Sequence, residues 1–180
     1  MTYANGFAMD GGTFDDYSSG VAIDGGSFAQ DDQSALEKMR AFIFSYPYPE
    51  PLDNLLIDYT DNVPNSGGLF PDGLVEISRR KDLLGNTTVT NQYNFALYTV
   101  LEKSPDEDYG ATLNAEWQMA FQEWVQEQSV NGNAPVFGDE PRTESITAQN
   151  GTIYSAEGEG YAIYAIQLSV TFTRNFERKW

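Results

Sequence analysis

The sharpest alternation of hydrophobic and polar positions lies near the C-terminal end of the chain. Tyr164, Ile166, Leu168, Val170 and Phe172 alternate with Ala165, Gln167, Ser169, Thr171 and Thr173. A period of two sets one row against a core and the other in water, which predicts a strand of an antiparallel sheet. A second run, residues 87–102, is β-branched and aromatic and long enough for an extended strand. Tyr93, Phe95, Leu97 and Thr99 fall on one side of it, and Asn94, Ala96, Tyr98 and Val100 on the other. Both sides carry bulk, so this strand is expected at the centre of the sheet. Shorter strands are predicted over 55–59, 74–80, 144–148 and 152–155. Gly85-Asn86 turns the chain, Asn150-Gly151 has the two-residue hairpin signature, and Gly158-Glu159-Gly160 is a further turn. Residues 62–73 and 104–110 read as loops.

Two segments carry helical periodicity instead. Ser34-Ala-Leu-Glu37 is a capping-box pattern, and Leu36, Met39, Phe42 and Ile43 follow at helical spacing until Pro47 and Pro49. Over 113–128, Leu113, Trp117, Ala120, Phe121, Trp124 and Val125 form one broad apolar stripe, with Glu116, Gln118, Gln122, Glu123 and Glu127 elsewhere. Trp117 and Trp124 could form a sugar-stacking platform, but their spacing favours a core stripe. The order of elements predicts an α+β fold: an antiparallel sheet with two main helices packed on one face.

The first 32 residues are different. They hold six acidic residues (Asp10, Asp15, Asp16, Asp24, Asp31 and Asp32), no basic one, and a duplication, Met9-Asp-Gly-Gly-Thr-Phe14 and Ile23-Asp-Gly-Gly-Ser-Phe28. The expected division is an acidic Gly/Asp-rich arm over 1–32 and a folded domain over 33–180. The arm is read either as flexible or as ordering on a partner through Phe14 and Phe28.

Charge and composition narrow the chemistry. The 180-residue chain has 10 Lys and Arg against 27 Asp and Glu, a formal charge of −17. Such a surface repels phosphate backbones, so ordinary nucleic-acid binding is not expected. With no His and no Cys, the chain lacks Ser-His-Asp and Cys-His triads, disulfides, and His- or Cys-ligated zinc. No stretch approaches the ~20 apolar residues of a membrane span. No Lys or Arg precedes Lys38, so no secretory or transit peptide is expected. Paired carboxylates are the one catalytic chemistry left, and no pair is marked out in a cleft. Asp106-Glu107-Asp108 and the Asp-Gly-Gly turns offer oxygen ligands but do not match a calcium loop. Gly158-Glu159-Gly160 is no dinucleotide loop. The expectation is therefore no metal, no cofactor and no enzymatic activity. Two basic clusters stand out on the acidic chain: Arg79, Arg80 and Lys81, and Arg174, Arg178 and Lys179.

These segments carry a family resemblance. Tyr93-Asn-Phe-Ala-Leu97, Phe121-Gln-Glu-Trp-Val-Gln-Glu-Gln128 and Asn131-Gly-Asn-Ala-Pro135 resemble the tail terminator (minor capsid) proteins of long-tailed phages, the siphoviruses, of Gram-positive hosts. There an apolar strand leads to a helix ending in a Trp-x-x-x-Gln-like turn and a Gly-x-x-Pro segment. A strand, a Gly-containing hairpin and a long alternating strand follow, here Ile146, Asn150-Gly151 and residues 164–172. The resemblance spans roughly residues 34–180, and the arm has no counterpart in the family pattern. It implies a structural virion protein, assembled in the host cytoplasm and located at the tail–head junction. Such a protein forms a ring, expected to be a hexamer, that caps the tail tube protein, ends tail growth and joins the head–tail connector protein. DNA passes through without sequence-specific binding. Under this reading Asp106, Glu107 and Asp108 face the lumen. Arg79, Arg80, Lys81, Arg174, Phe176, Arg178 and Trp180 are the expected assembly interface, where a basic edge meets an acidic one on the next copy.

Two other classes compete. The 11 Tyr and 3 Trp residues, with many Asn and Thr, suit a carbohydrate-binding or adhesin module. A carboxylate-based hydrolase comes last.

Overall fold

The structure, a computed structural model, describes residues 34–47, 52–102, 108–155 and 160–178, with the side chains of 108 and 109 left out. The acidic arm, its Phe14 and Phe28, Asp106, Glu107, Lys179, Trp180 and most of the Gly158–Gly160 turn lie outside the described residues.

The first helix, α1 (Ala35–Phe44), starts where the capping box places it. The Glu37 N–H donates to Ser34 Oγ at 3.3 Å, and the Ser34 N–H donates to Glu37 Oε2 at 3.0 Å. Five strands follow: β1 (Asn54–Ile57), β2 (Ser66–Lys81), β3 (Thr87–Glu102), β4 (Ser145–Ser155) and β5 (Tyr161–Phe176), with α2 (Asp108–Val130) between β3 and β4. The sheet order is β1-β2-β3-β5-β4. β3 is central, as its two bulky sides predict. It pairs along its whole length with β5, from Thr87 opposite Phe176 to Glu102 opposite Tyr161.

The sheet is antiparallel except at one edge, where β1 runs parallel to β2. Three local expectations change. Residues 66–73 are not loop, because β2 begins at Ser66. Its Gly-Gly pair serves close packing: a Cβ on Gly68 would lie 2.5 Å from the Tyr59 carbonyl oxygen. Pro71, Asp72 and Gly73 (φ +86) form an irregularity within the strand, tolerated where no outer neighbour needs the missing N–H. Second, α2 begins at Asp108 rather than Leu113, so Asp108 belongs to a helix and not to a loop. Gly110 does not prevent this, since one glycine near a helix start costs only about 1 kcal/mol. Third, Asn150-Gly151 does not turn the chain. β4 continues through it as a bulge, since Gln149 pairs with Gln167 and Thr152 with Ala165 of the same neighbour. Asn150 takes a positive φ of 56° there.

One core joins the helices to the sheet. Met39, Phe42 and Ile43 of α1 and Trp117, Phe121 and Val125 of α2 cluster with Phe95 and Leu97 of β3 and Ile166, Leu168 and Val170 of β5. Leu97 faces Ile166, and Phe95 faces Leu168, so both helices cover the same side. The helices meet through aromatic rings: Phe42 lies 4.8 Å from Trp124, and Tyr46 lies 5.2 Å from Phe121. Burying each such side chain contributes about 1.5–3 kcal/mol. Trp117 is buried and stacked on Phe121, as the stripe predicts; it is no surface platform.

The opposite side of the sheet is not covered by either helix. Gln92 Nε2 and Ser169 Oγ both donate to Asn94 Oδ1, at 2.7 and 2.8 Å. Further along, Phe70, Tyr98 and Tyr154 meet edge to face around a groove of about 490 Å³.

Candidate assembly interface

Sequence spacing separates the two basic clusters by more than ninety positions, and the sheet brings parts of both to one end. Lys81 pairs with Thr87, and Thr87 pairs with Phe176, so Lys81 and Phe176 flank β3 on one rung. Arg80 pairs with Thr88 on the next rung, and Thr88 Oγ1 donates to Asn175 Oδ1 at 2.9 Å.

The turn between β2 and β3 is closed by its own residues. The Gly85 N–H donates to the Asp82 carbonyl at 3.2 Å and the Asp82 N–H to the Asn86 carbonyl at 2.9 Å. Gly85 sits at φ +91, a conformation that a side chain rarely adopts. Arg178 covers it: a Cβ there would lie 2.8 Å from Arg178 Cδ. The Arg178 N–H also donates to Asn86 Oδ1 at 3.2 Å. At the tip, Leu83 is 106% exposed and Leu84 72% exposed. The distal half of β2 carries exposed Leu74, Val75 and Ile77, and Phe176 is exposed as well. Arg79, Arg80, Lys81 and Arg178, four of the chain's ten cations, gather beside this apolar surface.

Charges at this end are unequally engaged. Arg79 holds Glu76 through two contacts, Nε to Oε1 at 3.0 Å and Nη2 to Oε2 at 2.6 Å. The side-chain hydrogen bond from Arg79 keeps Glu76 below the usual carboxylate range and raises Arg79 in turn. Arg80 and Lys81 form no ion pair among the described residues.

Arg174 does not join the cluster. Its Nε and Nη2 donate to the Phe137 carbonyl at 3.3 and 3.2 Å, and its guanidinium lies 5.5 Å from the Phe172 ring centroid. It ties the segment after α2 to β5.

Two other surfaces bear on assembly. α2 carries Glu116, Glu123 and Glu127 exposed and has no basic residue. Between α2 and β4 runs a groove of about 450 Å³, bordered by Met119, Glu123, Val130, Ile146 and Ala148. Sequence reasoning missed both this groove and the exposed leucines of the turn. The signal for the leucines is two large apolar residues beside a Gly-Asn turn, where polar residues are the rule.

Among the described residues, no group of three or more acidic residues could hold a metal ion, and no helix is long and apolar enough to cross a membrane. No known protein family and no curated protein matches the chain.

Proposed function

We propose that the chain is a structural virion protein of the tail terminator kind. In this reading it forms a ring on the end of a phage tail tube, ends tube growth and presents a surface to the head connector. The observation that carries the reading is the gathering of Arg79, Arg80, Lys81, Arg178, Leu83, Leu84 and Phe176 at one end of the sheet of a chain with formal charge −17. A basic and apolar edge on an acidic body is the arrangement that steers identical copies head to tail. The order of a central apolar strand, a long helix and two further strands, the last of them long and alternating, supports the reading, while the Gly-containing hairpin of the family pattern is not found at Asn150-Gly151, where β4 continues through a bulge. Phe121 to Gln128, one of the segments on which the resemblance rests, lies within α2. The net negative charge suits a conduit through which DNA passes without adhering. Asp106, Glu107 and Asp108 are assigned to the lumen in this proposal.

The test is a tail assembly reaction. Adding the protein to polymerising tail tube subunits is expected to arrest growth and leave tubes that no longer elongate when fresh subunits are supplied. Tubes of unaltered length distribution that keep elongating would remove the proposal.

The aromatic groove of Phe70, Tyr98 and Tyr154 on the open side of the sheet supports the second reading, a carbohydrate-binding module. Its rim carries Gln167, whose Oε1 accepts from Asn150 Nδ2 at 2.9 Å. Titration with a glycan panel is expected under that reading to shift the Tyr98 and Tyr154 ring resonances. Unmoved rings would exclude it.

A further inference from the structure

Among the described residues, the distal part of β2 and the outer side of β4 are unpaired strand edges, and their surroundings are opposite in charge. β1 pairs with β2 only from Ser66 to Leu69, so the outer side of residues 72–81 has no neighbouring strand among the described residues. At the other edge, β4 pairs only with β5 among the described residues. An unpaired edge presents backbone donors and acceptors that a second strand can satisfy. One end of the β4 edge is already occupied: the Ile146 N–H donates to Ser129 Oγ of α2 at 3.0 Å.

The side chains beside the two edges complement one another. Along β2, Leu74 pairs with Tyr93, Arg79 with Val89 and Lys81 with Thr87, so all three lie on the helix side of the sheet. Beside β4, the helix side is the α2 groove, with Met119 61% exposed and Val130 80% exposed. Glu123 borders it, and Glu127 is one turn further along α2. β4 itself contains no charged residue. Extending the sheet from one copy into the next would therefore lay the cations of β2 along the acidic flank of α2 and Leu74 against one apolar end of that groove, Met119 or Val130 according to the direction of pairing.

We propose that the distal edge of β2 in one copy adds to the β4 edge of a second copy, forming a sheet that continues between subunits. Arg79 and Lys81 then face Glu123 and Glu127 across the junction. Arg79 keeps its hold on Glu76, so Lys81 supplies the unengaged charge. Each copy uses one edge as donor surface and the other as acceptor. The contact is heterologous, and it closes as a ring or propagates as a filament according to the rotation between copies. The inference rests on the assembly reading for its choice of a second copy as occupant, and it specifies which surfaces meet.

A paired charge reversal tests it on the full chain. One variant carries Arg79→Glu and Lys81→Glu; the other carries Glu123→Lys and Glu127→Lys. Circular dichroism first establishes that both fold. Sedimentation velocity over a concentration series is expected to show self-association of the wild type and at least tenfold weaker association of each variant alone. An equimolar mixture of the two is expected to recover association, because each reversed edge then finds an opposite charge on its neighbour. Should either double change unfold the chain, the single changes Lys81→Glu and Glu123→Lys, each alone and then mixed, provide the same readout. A wild type that remains monomeric at every concentration would overturn the proposal. Association indifferent to both reversals, or a mixture that stays dissociated, would overturn it equally. Copies that pair as described yet leave tail tubes uncapped would retain this interface and remove the terminator reading. Capping that persists in both reversed variants would do the opposite.

Discussion

Asn86 closes the β2–β3 turn on Asp82 twice, its backbone N–H reaching Oδ1 and its side-chain amide reaching Oδ2, each at 2.8 Å. Burial works to raise the Asp82 carboxyl, but the hydrogen bonds from Asn86, Leu84 and Gly85 outweigh it, so Asp82 titrates below the ordinary aspartate value of 3.8. A carboxyl whose folded value is depressed stabilises the fold above its unfolded value and loses that contribution as pH falls through the folded one. The turn that presents Leu83 and Leu84 is thus expected to hold at neutral pH and loosen below about pH 4. The protection of the Gly85 and Asn86 amides, relative to their intrinsic exchange rates at each pH, should fall over that range in the wild type and show no such step in Asp82→Asn. A turn equally protected at about pH 2 would contradict this.

The α1 capping box makes a second prediction. Ser34→Ala removes the acceptor for the Glu37 N–H and is expected to cost about 1 kcal/mol. Chemical denaturation measures it, and a change below a few tenths would show that the helix start is held by packing alone.

Phe121 is the hinge of the aromatic contact between helices. It is fully buried, its ring stacked on Trp117 at 5.5 Å with Tyr46 and Trp124 on other sides. Phe121→Ala is expected to destabilise by about 3–5 kcal/mol. In a variant keeping Trp117 as the sole indole, emission should be that of a buried ring, resistant to acrylamide. Ready quenching would return the sugar-platform reading of the helix.

Gly138 is a point where a methyl group has no room, because a Cβ there would collide with the Thr173 carbonyl oxygen. The segment it belongs to is sewn to β5: the Asp139 N–H donates to the Thr173 carbonyl at 2.9 Å, and the Asn175 N–H donates to Asp139 Oδ2 at 2.6 Å. Gly138→Ala is expected to cost about 1–3 kcal/mol and to speed amide exchange at Asn175. An unchanged denaturation midpoint would show that the segment yields freely.

The sequence carried the elements whose side chains repeat with a clean period. The alternation over 164–172, the bulky run of β3 and the stripe of α2 from Trp117 to Val125 each folded as their spacing dictates, whereas Leu113, counted in that stripe, is exposed. What it did not carry depended on partners distant in the chain. Gly67-Gly68 looked like loop residues, and only the approach of Tyr59 and Leu52 makes glycine fit a strand there. Asn150-Gly151 has the chemistry of a hairpin, yet β5 is long enough to pair on both sides of it. For the interface, the basic clusters were visible as composition, but their fates diverged with the register. Lys81 and Arg178 met at the turn, whereas Arg174 was taken up by Phe137.

The most direct test of the account is negative-stain electron microscopy of the purified protein, alone at high concentration and mixed with tail tubes. The account predicts rings with a hole wide enough for duplex DNA, and added density at one end of each tube. Dispersed single particles beside tubes bare at both ends would contradict it.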